Sequence, residues 1–378
     1  MKRLSVCFLL LSATLKAFAQ ETLYVGTFSV RGSEGIYSYS FDREQKSFTL
    51  LQAIATPESP SYIALSTEGD VLYSANRGGT EQHPDWGSVS SFSINNDTRK
   101  LSPLNEISSY GISPCHIAVD DHQDWLYVSH YGGGSLSVFS TEPNGRIDAL
   151  ADSVQHTGSS IHPDRQKTSH VHSIQAIPQS NYFISADLGL DYLKIYEMKG
   201  YAAVPAPVSF ITTEAGAGPR HFAQMKDTPY IYVAEELTCT VSVHHLDMDQ
   251  HKTYQIQRLS TLPDSLSVDN PETAFSVADI HISPDGKFLY VSNRGHNSLA
   301  IFLIDSDTGT LTTVDHASTL GETPRNFMID PQGEFVFVAN QNSDNITLFQ
   351  RDSSSGRLTY TGTEIPVPSP VSLVLKSE

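Results

Sequence analysis

Residues Val277–Arg294 read VADIHISPDGKFLYVSNR, and Thr323–Gln341 read TPRNFMIDPQGEFVFVANQ. Each is an apolar strand, a polar turn (SPDG, DPQG), and a second alternating strand that ends in a polar pair. Four more stretches fall into the same frame: SPSYIALSTEGDVLYSANR from Ser59, SPCHIAVDDHQDWLYVSHY from Ser113, SHVHSIQAIPQSNYFISADL from Ser169 and GPRHFAQMKDTPYIYVAEEL from Gly218. Most continue into a third alternating strand, such as SLSVFST, SLAIFLI or NITLFQR. Successive units begin 46 to 59 residues apart. Period-two alternation between turn clusters at that spacing describes small antiparallel sheets in series, the pattern of a β-propeller. The predicted fold class is all-β, a seven-bladed β-propeller of four-stranded antiparallel blades.

Six internal units leave one blade to be found at the ends. LYVGTFS and GIYSYSFD, within Leu23–Asp42, look like later strands without a first one, and SPVSLVLKS at Ser369–Ser377 looks like a first strand with nothing after it. Joining them in one sheet closes the ring and covers two open edges. A chain of 378 residues fits this architecture, because each unit packs on its neighbours.

Twenty-four Lys and Arg against 42 Asp and Glu give a net charge of −18, which argues against nucleic acid or an anionic membrane as partner. An anionic small molecule can still bind where a few cations converge. Residues 1–19 read as a secretory signal: Lys2 and Arg3, an apolar run from Leu4 to Leu15, and Ala17-Phe18-Ala19 as the cleavage motif. The expected organisation is this signal, then one propeller domain over 20–378, exported to the periplasm or secreted. Beyond the signal only Cys115 and Cys239 remain, too few and too far apart for a disulfide framework or a zinc site.

Aligning the units by their second strands produces two columns. The first holds Tyr62, His116, His172, His221, Asp279, Asn326 and Ser372; the second holds Arg77, Tyr131, Asp187, Glu236, Arg294 and Gln341, with Arg220 and Arg325 beside the first. Equivalent positions of different blades share one ring around the axis, so these residues are expected to meet in a polar pocket. Arginines clamp carboxylates or phosphates, and histidine moves protons near neutral pH. The expected catalytic set is His172 as base, Glu236 as second acid/base or orienting group, and Arg220 and Arg294 as oxyanion clamps. His116, His221, Asp279, Arg325, Asn326 and Arg77 are expected to bind substrate. His170 and His172 are expected on opposite faces of a strand, one toward the pocket and one bracing a loop. Gly132–Gly134 reads as a hairpin turn. No phosphate-cradling GxxxxGK[ST], HExxH, CxxC or GxSxG pattern occurs, so no cofactor, metal or serine triad is expected.

At LYVGTFS, GPRHF, the ADLG strand end, ISPDGKFLYVSNRGHNSLAIF and TPRNFMIDPQGEFVFVANQNSDNITLF the chain resembles the lactonase family of seven-bladed propellers, which includes bacterial 6-phosphogluconolactonases. The resemblance spans essentially the whole chain after the signal and implies hydrolysis of a sugar lactone. It is also similar to the fungal carboxymuconate-cyclising enzymes. Their His, two Arg and Glu fall by motif on His172 (HVHS), Arg220 (GPRH), Arg294 (SNRG) and Glu236 (AEEL). Glu235 stands where the family more often has Asn, and its charge is expected to raise the pKa of Glu236 or to weaken anion binding. A phosphorylated lactone made in the cytoplasm would not meet an exported enzyme, so another sugar lactone or aldonolactone is the expected substrate. The alternatives are a lactonising lyase of a carboxylated compound and a propeller that binds a sugar acid without catalysis.

Overall fold

The computed structural model describes residues 21–78, 85–122, 124–266 and 274–377; the signal-peptide reading of residues 1–19 lies outside the described residues. It contains seven four-stranded antiparallel sheets arranged as a propeller, with no helix among the described residues. The seven inner strands are Pro60–Leu65, Pro114–Val119, Val171–Ala176, Pro219–Gln224, Ser276–Ile282, Pro324–Ile329 and Pro370–Lys376. Blade 1 is the composite one: its inner strand is the C-terminal Pro370–Lys376, hydrogen-bonded to Glu21–Thr27 with Leu23 opposite Leu375 and Val25 opposite Leu373. Blades 2 to 7 follow in chain order.

Each second strand is almost wholly buried, as in VLYSAN (Val71–Asn76) and FVFVAN (Phe335–Asn340), because both its faces meet neighbouring blades. Outermost strands are mostly half-buried or exposed, since one of their edges faces solvent. The core is therefore a series of inter-blade layers. One joins Leu23, Val25 and Tyr39 of blade 1 to Phe337, Ile346 and Leu348 of blade 7. A tyrosine recurs at one position of the second strand in five blades: Tyr24, Tyr73, Tyr127, Tyr232 and Tyr290, each at most 2% exposed. Three donate across to the next blade's outer turn: Tyr24 to the Arg99 carbonyl at 3.0 Å, Tyr232 to Gly309 at 3.0 Å and Tyr290 to Gly356 at 2.7 Å. Each such buried bond is worth about 1 kcal/mol and fixes the angle between neighbouring blades.

Candidate active site

The inner strands carry the site through a recurring irregularity. In every blade the pairing of inner and second strand slips by one residue near its start: between Pro60 and Tyr62, Pro114 and His116, Val171 and Ser173, Pro219 and His221, Val277 and Ile280, Pro324 and Asn326, and at Pro370–Ser372. A β-bulge inserts one residue and re-aims its side chain. The inserted residues are Ser61, Cys115, His172, Arg220, Ala278, Arg325 and Val371. Five inner strands start with proline, and the residue before it has positive φ: Ser59, Ser113, Gly218, Thr323 and Ser369, at 44° to 66°. Gly218 adopts this without cost, a Cβ there would lie 2.6 Å from Leu237, and its N–H donates to Asp191 at 2.7 Å. That turn delivers Arg220 into the channel.

At this mouth Arg220, Arg294 and Arg165 converge on Glu236. Arg165 donates to Oε1 at 2.7 Å, while Arg220 Nε and an Arg294 terminal nitrogen each stand 3.1 Å from Oε2. The Arg220 Nε lacks the alignment of a hydrogen bond, as does the Nε of Arg294, so both are buried donors without a partner. Arg165 also donates to the Tyr131 hydroxyl at 3.0 Å. The Tyr131 ring stacks on His170 at 4.5 Å and meets His172 edge-on at 5.3 Å. Opposite, Arg77 and Arg325 lie over the Phe28 ring at 4.9 and 5.0 Å, and neither makes an ion pair among the described residues. Phe28 occupies in blade 1 the place that Arg77, Tyr131, Glu236 and Arg294 hold in theirs.

The charges at this mouth do not balance. Five guanidiniums face it, and Glu236 is the carboxylate that contacts three of them. Burial alone would raise the Glu236 carboxyl; Arg294, Arg220 and Arg165 together outweigh it and hold the group at about 2. Burial, reinforced by the charge of Arg294, lowers Arg220 to about 10. Burial and the neighbouring Arg220 likewise pull Arg325 well below the usual arginine range. His172 is pushed well below 6.5 by burial and then by Arg220, so its imidazole is neutral at pH 7, and its Nδ1 has no protein partner.

The sequence profile described as "Lactonase, 7-bladed beta-propeller" matches residues 22–375. The chain belongs to that family. It is 34% identical to the 6-phosphogluconolactonase of Bacillus subtilis over 306 residues, 81% of this chain and 84% of that one. Among solved structures it superposes on the periplasmic gluconolactonase of Pseudomonas aeruginosa with a TM-score of 0.87 at 29% identity, covering 94% and 99% of the two chains. A Lactobacillus plantarum protein gives a TM-score of 0.85 at 33% identity, covering 94% and 99%.

Within this lactonase propeller the ten residues singled out from sequence divide into two layers. Arg77, His172, Arg220, Glu236, Arg294 and Arg325 surround the mouth. His116, His221, Asp279 and Asn326 lie one step deeper and bond largely to one another and to backbone. Asp279 accepts from His221 Nδ1 at 2.7 Å, Asn326 at 2.5 Å and the Phe327 N–H at 3.3 Å, while Asn326 accepts from the Leu373 N–H at 2.7 Å. His116 packs on Tyr62 at 4.0 Å and on His221 at 5.3 Å.

Three expectations are corrected. His172 does not share a ring with His116 and His221: Val171 pairs with Asp187 as Pro219 pairs with Glu235, so His172 is equivalent to Arg220 and Arg325. For the same reason Asp187 is the counterpart of Glu235, not Glu236, and it bonds His156 at 2.7 Å and the His170 N–H at 2.8 Å. His170 and His172 do not point apart; residues two apart share a face, and both rings contact Tyr131. Glu235 does not raise Glu236. It is fully buried and turned onto Arg258 at 2.6 Å and Thr240 at 2.5 Å, at the place where other blades have Asn76, Asn293 and Asn340. The Gly132–Gly134 stretch lies in the turn between Trp125–His130 and Ser135–Thr141.

Arg165 was not signalled by the repeat, since it belongs to the long segment 156–170 between blades 3 and 4, outside the strands of the repeat. That segment is pinned by Ser160 and Gln166 to Asp191, which also accepts from the N–H groups of Gly216 and Gly218. One buried carboxylate thus fixes the base of the Arg165 loop and the turn that delivers Arg220.

Proposed function

We propose that this protein is a lactonase that hydrolyses a sugar-derived lactone bearing an additional anionic group, carboxylate or phosphate, outside the cytoplasm. The observation that carries the reading is the gathering of five guanidiniums around a neutral histidine, with the buried Nε groups of Arg77, Arg220 and Arg294 left without a partner among the described residues. An anion at this mouth restores charge balance, and paired guanidinium donors suit carboxylate and phosphate oxygens.

In the reaction His172 takes a proton from water, and the hydroxide attacks the lactone carbonyl carbon. Charge develops on the carbonyl oxygen between Arg220 and Arg294, whose positions are set in advance by Glu236. Held ionised by three arginines, Glu236 is an orienting group rather than a proton donor. The ring C–O bond then breaks, and the leaving oxygen takes the proton from His172. Arg77 and Arg325 receive the substrate's own anionic group, and Phe28 holds them apart. The family membership and the two relatives named for gluconolactone or phosphogluconolactone hydrolysis support this reading, and the signal-like residues 1–19 support export.

The test is buffer-corrected hydrolysis of glucono-δ-lactone, a glucarolactone and 6-phosphogluconolactone. Rates above background with higher kcat/KM for the charged lactones support the proposal. No enzymatic rate with any of the three, together with tight binding of a sugar acid, would identify a binding protein, and formation of a muconolactone would identify a lyase.

A further inference from the structure

The channel has a second mouth. Beneath the layer of Tyr62, His221 and Asp279 a vestibule of about 220 Å³ opens on the opposite side of the propeller, lined also by Gln175, Gln224 and His281. No step of the proposed hydrolysis uses it. Yet a row of titratable groups leads from it to the edge of the His172 ring. The His172 and His221 rings are 5.3 Å apart, and each carries a buried nitrogen, Nδ1 of His172 and Nε2 of His221, without a partner. His221 Nδ1 bonds Asp279 Oδ1 at 2.7 Å, and Asp279 Oδ2 bonds His281 Nε2 at 3.0 Å. The His281 side chain is 36% exposed.

We infer that His221, Asp279 and His281 form a proton path that carries the acid proton of the product from His172 to the opposite mouth of the propeller. The inference rests on the lactonase reading. Hydrolysis at neutral pH consumes one lactone and one water and yields a hydroxycarboxylate and one proton. While product fills the arginine mouth, that proton needs another way out. The new carboxylic acid of the product gives its proton to neutral His172. One proton then enters the line at Nε2 of His221 for each one that leaves from His281 into the vestibule, so His172 ends the cycle neutral and Asp279 ends it as the carboxylate it began. The field has the required direction: Arg220, Arg294 and Arg325 repel a proton from the substrate end, and Asp279 attracts it toward the far end. The remaining groups around the line, Tyr62, His116 and Asn326, brace it by ring contact and hydrogen bond. Burial lowers His281, but the charge of Asp279 and its hydrogen bond outweigh this, so its pKa is raised.

These are positioning and relay residues that act through His172, and the variant His281→Gln tests them. Gln keeps a donor for Asp279 but cannot carry a proton; His281→Ala serves as the second variant. In dilute buffer, kcat on the best lactone should fall about tenfold with KM unchanged, and added imidazole should restore it, while wild type stays indifferent to imidazole. Unchanged kcat in both variants, or a loss that imidazole fails to restore, overturns the path. A wild-type protein that hydrolyses no lactone overturns the functional reading itself, whereas an active wild type with indifferent variants overturns the path alone.

Discussion

Two neighbouring rings of the channel, one residue apart in sequence, have opposite character. The bulge ring contains His172, Arg220 and Arg325 beside Ser61, Cys115, Ala278 and Val371, and its charged members point into unbalanced positive charge. The next ring contains Tyr62, His116, Ser173, His221, Asp279, Asn326 and Ser372, and much of it is closed by contacts between blades. Ser372 accepts from the Ile63 N–H at 3.1 Å, Asn326 from Leu373 and Asp279 from Phe327, so four consecutive blades are stitched by three equivalent bonds. A single inserted residue separates the ring that meets the substrate from the ring that braces the propeller, His221 and Asp279 of the latter also carrying the proposed proton path. The bulge frees one side chain per blade from the ladder, and the following residue returns to holding the ring together.

The comparison is most exposed to substitutions in the bulge ring. Arg220→Ala should lower kcat/KM for the best lactone about 10²–10³-fold, the loss typical of one oxyanion donor, measured by initial rates. An Arg220 variant within twofold of wild type would remove the bulge ring from the chemistry. In the deeper ring, Ser372→Ala leaves the buried Ile63 N–H without its partner, and should cost about 1–3 kcal/mol in urea unfolding while kcat changes little.

Smaller effects sharpen the boundary between the rings. Arg325→Ala removes one of the two guanidiniums that receive the substrate's own anionic group. It should raise KM for charged lactones about tenfold, one charge-assisted contact, and leave KM for glucono-δ-lactone nearly unchanged, as steady-state assays on both will show. Acid should weaken the fold gradually. His221 is depressed to about 4 by burial and then by Arg220. With a folded pKa below the unfolded value of 6.5, the unfolded chain binds more protons between these values. Stability should therefore be full above pH 6.5 and decline as pH falls toward 4, with His116 and His172 adding the same sign. The raised pKa of His281 works against it. Urea midpoints from pH 7.5 to 4 measure the sum, and a midpoint that rises on acidification would contradict this balance.

The blades and their closure were legible because period-two alternation and the turn clusters recur at every unit, and because the two ends lack complementary strands. The rings were legible only to within one residue. Second-strand alignment does not register a bulge, and Val171 stands where Pro60, Pro114, Pro219, Pro324 and Pro370 mark its position elsewhere, so blade 4 slipped and carried His172 and Asp187 with it. Proline as the alignment mark would have set the first four internal bulges that carry it. Arg165 and Phe28 had no such mark, one lying in a long segment between blades and the other in the divided blade. Glu235 shows a different limit. Its charge was visible in sequence, but its partner Arg258, 23 residues away on the outermost strand, was not.

The most direct test of the one-residue separation pairs His172→Asn with Ser372→Ala, reading kcat and urea unfolding for each. The account predicts that His172→Asn loses about 10²-fold or more in kcat with its unfolding midpoint unchanged, while Ser372→Ala keeps kcat and loses stability. An active His172→Asn protein, or a Ser372→Ala protein that is fully stable yet inactive, would contradict it.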